Sequence, residues 1–131
     1  MKRILLACFL LTATCSVTFV QQAVAHAPLV GSVTLSAFTA KVNLMDSQTG
    51  SGDMAAAQAT WNEVHQMMMT ILSTTKHSIS SAATPADQAT YTTLYNNQYT
   101  MYTEIWALKP DLATNRSAIH TKLLAFAATI Y

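Results

Sequence analysis

The sequence predicts an all-α protein, a small antiparallel up-down-up-down four-helix bundle following an N-terminal signal peptide. Three observations predict it. Apolar residues recur at three- and four-residue spacing through four segments, where no strand alternation sorts them as cleanly. The three glycines and three prolines stand at the junctions (Pro28 and Gly31, Gly50 and Gly52, Pro85, Pro110), and none interrupts a periodic segment. The connections are short, which makes sequential helices antiparallel neighbours.

The export signal comes first. Lys2 and Arg3 precede an apolar run from Ile4 to Val20, and Ala23-Val24-Ala25 fits the small-x-small pattern before a cleavage point. The expected division is a removed signal peptide, 1–25, and a single helical domain, 26–131. Cleavage after Ala27 is the less favoured variant, because Pro28 would follow the bond. Both cysteines, Cys8 and Cys15, fall inside the signal, so the mature chain is expected to carry no thiol and no disulfide. Its length suffices for a substantial core without such staples.

Loss of Lys2 and Arg3 leaves one more carboxylate than Lys and Arg together. No basic patch for nucleic acid and no charge run for an anionic membrane surface is written in the sequence. No stable membrane insertion is expected after cleavage, and the destination is the periplasm or the extracellular space.

The first mature segment, about 33–47, places Leu35, Phe38, Val42 and Met45 on one face, with Ser32 or Thr34 as N-cap. Thr49-Gly50-Ser51-Gly52 should end it, glycine being free to turn left-handed. Asp53 should cap a second helix to about Ser80, with Ala57, Trp61, Val64, Met68, Ile71, Leu72 and Ile79 inward. Thr84-Pro85 with Asp87 is the clearest boundary. Threonine caps, proline loses nothing at the first helical position, and the aspartate meets the positive helix end.

The third helix, ending near Leu108, sorts most clearly. Tyr91, Tyr95, Tyr99, Tyr102 and Trp106 form one stripe at helical spacing. Leu94, Met101, Ile105 and Leu108 form a second, interrupted by Gln98. The spacing places the aromatic stripe in a core seam with hydroxyls reaching water at its edge. The competing reading is an aromatic platform for sugar or peptide. Lys109-Pro110-Asp111 should turn the chain into a fourth helix carrying Leu112, Ile119, Leu123, Phe126 and Ile130.

Few residues suggest chemistry. His65 and Met69 stand four apart on one side of the second helix, an imidazole and a thioether of the kind that suits copper(I). Neighbouring Met67 and Met68 cannot both point at the same ion, and methionine also fills core gaps. His26, as a new N-terminus, would offer an amine and an imidazole. Asn115-Arg116-Ser117 is a glycosylation sequon by letter. No nucleophile–base pair, paired carboxylates, phosphate loop or zinc spacing is present.

Two local resemblances add expectations. Arg116-Ser117-Ala118-Ile119-His120-Thr121-Lys122 resembles the stretch carrying the haem-ligating histidine in periplasmic b-type four-helix-bundle cytochromes, which implies His120 as a haem ligand. That family also uses a methionine near the start of its first helix, whereas Met45 stands at the far end here. Thr84-Pro85-Ala86-Asp87-Gln88 is loosely similar to a signature of the Spy-type periplasmic stress chaperones. The leading expectation is an exported, non-enzymatic bundle acting through surface contacts, with a protein partner possible and no cofactor. The alternative is a metal- or haem-binding bundle using copper at His65 and Met69, or haem at His120.

Overall fold

The computed structural model describes residues 33–130. The predicted signal peptide, both cysteines, His26, Pro28 and Gly31 lie outside the described residues. Four helices follow in order: α1 (Leu35–Ser51), α2 (Met54–Ser81), α3 (Pro85–Leu108) and α4 (Arg116–Ala127), with a 3₁₀ turn, Lys109–Asp111, between the last two. Among the described residues there is no strand, and no helix is long and apolar enough to cross a membrane.

The helices pack in a ring: α1 on α2, α2 on α3, α3 on α4 and α4 back on α1. Polar links mark the seams. Lys41 pairs with Glu63, and Thr60 Oγ1 donates to Gln48 Oε1 at 2.7 Å, between α1 and α2. Arg116 grips Asp46 through Nε and a terminal nitrogen at 2.8 and 2.7 Å, between α4 and α1. Lys122 pairs with Glu104 between α4 and α3.

Local signals set the boundaries. Thr34 Oγ1 accepts from Ala37 N, Asp53 Oδ1 from Ala56 N and Thr84 Oγ1 from Asp87 N. Each satisfies a donor that a helix start leaves without an intrahelical partner. Helix α1 runs four residues past Ser47 and stops only at Gly52, whose φ of 81° is left-handed. Asp53 N–H then reaches back to Gln48 O at 3.0 Å. Polar Ser47, Gln48 and Thr49 did not end the helix; the backbone freedom of Gly52 did.

The core joins Phe38, Val42 and Met45 of α1 to Trp61, Val64, Met68, Ile71 and Leu72 of α2. Ile105 of α3 and Ile119, Leu123, Phe126 and Ala127 of α4 complete it, with Phe38 and Phe126 rings 5.7 Å apart. Four expectations need correction. Leu35, in the first turn of α1, is exposed. Ile79 is only half-buried near the end of α2. Leu112 is buried but precedes α4, because Asp111 Oδ1 accepts from Thr114 N and Asn115 Nδ2 donates to Leu108 O, holding a turn there.

The fourth correction concerns α3. Only Gln98 and Ile105 are fully buried on it. Tyr99 is 50% exposed and Trp106 45%, so the aromatic stripe is no core seam. Tyr95 and Tyr102 pack, partly buried, against the core beside Met101 and Leu108, so the stripe lines the edge of the core.

Candidate functional site

The aromatic stripe lies along the seam between α2 and α3. Helical spacing of three and four residues stacks Tyr95, Tyr99, Tyr102 and Trp106 above one another. Successive ring centroids are 6.0, 6.3 and 6.1 Å apart, with interplanar angles of 15 to 31°. The ladder continues inward, since Trp106 stands 6.3 Å from Trp61, whose own ring is 1% exposed. Tyrosine and tryptophan suit this position because each has an apolar body and a polar tip, so one edge can be packed while the other stays wet.

Helix α2 contributes His65. Its ring lies 4.9 Å from Trp106 and 5.9 Å from Tyr102, and its Nε2 is 3.1 Å from Tyr102 Oη. Either partner can donate, according to the histidine tautomer. Lys109, just past α3, holds its ammonium 5.8 Å from the Trp106 ring centroid, where the ring face attracts a cation. Met69 is exposed one turn beyond His65. The seam thus combines two half-exposed rings, two partly buried ones, an imidazole, a thioether and an ammonium.

The sequence-predicted ligands fall in two places. His65 and Met69 share a side of α2, but His65 turns its Nε2 to Tyr102. Met67, Met68 and Met69 fan out: Met68 is fully buried, Met67 packs against the core edge and Met69 faces water. His120 lies away from them, near the start of α4, where its Nε2 donates to Asn43 Oδ1 at 3.1 Å. It lines an open depression of about 480 Å³ with Asp46, Ala113, Thr114, Arg116 and Ser117. The Arg116 hydrogen bonds hold the Asp46 carboxyl below the usual carboxylate range, against the opposing effect of burial, with help from the charges of Arg116 and His120. Among the described residues no three His, Cys, Asp or Glu side chains group as a metal cluster.

Sequence reasoning missed the His65–Tyr102 bond and the seat of Lys109. Both depend on which neighbour α3 turns its aromatic side toward, which a single-helix pattern does not contain. Compared with known proteins, the chain matches no family model, no curated protein and no solved structure.

Proposed function

We propose that the chain is an exported, non-enzymatic binding bundle that works by surface contact through its α2–α3 seam. The mature protein is residues 26–131, freed of its signal peptide in the periplasm or outside the cell, with helices alternating up and down. The cross-links support that alternation, because partner numbers fall as α1 rises: Lys41 with Glu63 and Gln48 with Thr60, then Asn43 with His120 and Asp46 with Arg116.

One observation carries the functional reading. Four large rings in regular array stand at the protein–water boundary, where two of them are about half exposed. A contiguous exposed apolar surface of this kind marks an interaction site more often than a scattered one does. Site-specific photo-crosslinking in the native host tests it. Crosslinkers at positions 99 and 106 are expected to capture a ligand, and one at exposed position 121 on α4 is not. Equal capture at all three positions, or none at 99 and 106, would overturn the reading. N-terminal sequencing of native material, expected to begin at His26, tests export.

The alternative bundle, holding copper at His65 and Met69 or haem at His120, requires each ring to release its Nε2 bond or to bind through Nδ1. Addition of Cu(I) or haem with a melting scan separates the two readings. A ligand held only by the folded state at about 100 times its dissociation constant stabilises by about 2.7 kcal/mol.

A further inference from the structure

Every carboxylate among the described residues is engaged by the chain itself. Asp46, Glu63 and Glu104 are in ion pairs. Asp53, Asp87 and Asp111 hold Ala56 N, Thr84 Oγ1 and Thr114 N. The three ion pairs occupy three of the four seams: α1–α2, α1–α4 and α3–α4. The α2–α3 seam has none, and it alone carries the aromatic ladder.

The cations divide accordingly. Lys41, Arg116 and Lys122 are matched, which leaves Lys76 and Lys109 without a carboxylate among the described residues. Both belong to the aromatic seam. Lys109 sits over Trp106 at one end. Lys76 is eleven residues beyond His65 on α2, and eleven helical steps return to within about 20° of the same side. It therefore stands toward the other end of the ladder. The seam offers an exposed ammonium at Lys76, a partly exposed one at Lys109 and a line of rings, while Glu63 of α2 and Glu104 of α3 are paired to α1 and α4.

We propose that this seam is the track for an anionic polysaccharide, a linear chain of carboxylated sugars. The proposal rests on the contact reading above and gives it a ligand class. Pyranose rings present faces of polarised C–H groups that pack on aromatic rings, and their carboxylates complement Lys76 and Lys109. Near-equal centroid steps of about 6 Å follow α3, with Tyr99 and Trp106 exposed and Tyr95 and Tyr102 partly buried beside them. That suits a repeating polymer better than a peptide, whose apolar and acidic side chains follow no such period. Exposed charges give such a ligand an attraction that weakens with salt, while ring packing does not.

Calorimetric titration of the purified protein with a uronic-acid oligomer is the test, beside a neutral glucan oligomer of equal length and an oligoglutamate of equal charge. The uronate oligomer is expected to bind best and to weaken as salt rises. Lys76→Glu with Lys109→Glu should lower its affinity at least about tenfold at low salt. Trp106→Ala should lower it at every salt concentration, with both variants retaining helical circular dichroism. Equal binding of the neutral glucan, equal binding of oligoglutamate, or indifference to the double charge reversal would each overturn the polysaccharide. Any of these leaves the contact reading standing if crosslinking at 99 and 106 persists. Loss of that crosslinking as well would remove both.

Discussion

Helices α2 and α3 are neighbours of 28 and 24 residues, yet they do opposite work. Helix α2 buries eight side chains and α3 only two, one of them a glutamine. Trp61 and Trp106 make the contrast within one ring pair: their centroids are 6.3 Å apart, but Trp61 is inside and Trp106 is at the edge. An aromatic-rich helix is therefore not automatically a core helix. Four large rings on one stripe exceed what α3 can bury against α2, and the surplus stands in water.

The sharpest way to break this comparison is to truncate both tryptophans. Trp61→Ala should cost about 3–5 kcal/mol, as a fully enclosed ring does. Trp106→Ala should cost about 1 kcal/mol, since half its area is already solvated. Urea unfolding monitored by circular dichroism reads both. Equal losses would mean that the two helices share the core evenly.

The glutamine sharpens the comparison further. Gln98 is 1% exposed, and its Nε2 donates to Thr129 Oγ1 at 3.1 Å. Its Oε1 has no partner. Thr129 Oγ1 has its own acceptor in Phe126 O, so removing the amide leaves that hydroxyl satisfied and takes from Thr129 O only a long bond of 3.4 Å. Gln98→Met keeps the volume and discards an unmatched buried acceptor, and the stability gain should be about 1 kcal/mol. The melting temperature should rise by about 4–8 °C, the shift typical of a domain this small. A fall would show that the amide holds α3 to the chain end in a way that packing does not replace.

These residues also show what the sequence could reveal. Caps at Thr34, Asp53 and Thr84 were legible because they act over three residues, and periodicity alone identified Trp61, Val64 and Met68 as inward. The burial of Gln98 and the exposure of Trp106 were not legible. Both depend on where α3 sits relative to two other helices, and a wheel gives the order of residues around one axis only. The seat of Lys109 beside Trp106 was hidden for a related reason, since the chain leaves the helical register there. His65 was visible as a possible ligand, but its actual partner lies 37 residues away.

A smaller effect is expected at the start of α3. No residue before Gln98 on that helix is fully buried, so its first turns depend more on local bonds than those of α2 do. Thr84 both accepts from Asp87 N at 3.1 Å and donates to Asp87 Oδ2 at 2.8 Å. Thr84→Ala should cost about 1 kcal/mol. Amide exchange should quicken over Ala86 to Tyr95 while Trp61 to Leu72 stays protected, because local opening is drawn from the sparsely buried part. Uniform loss of protection would mean that the two helices open together.

The smallest effect separates the seams by pH. Arg116 holds the Asp46 carboxyl below its ordinary value, whereas the unfolded chain should titrate it near about 3.9. A depressed carboxyl stabilises the fold fully above the unfolded value, and that contribution disappears as pH falls through the lower folded one. Asp46→Asn should therefore lower stability slightly at neutral pH, and the gap from the parent protein should close below about pH 4. The pair is partly exposed, so the gap should also shrink at high salt. The α2–α3 seam contains no ion pair among the described residues to respond in this way, so Trp106→Ala should cost nearly the same at pH 4 and pH 7. A Trp106 penalty that tracked pH as the Asp46 penalty does would erase this difference between the seams.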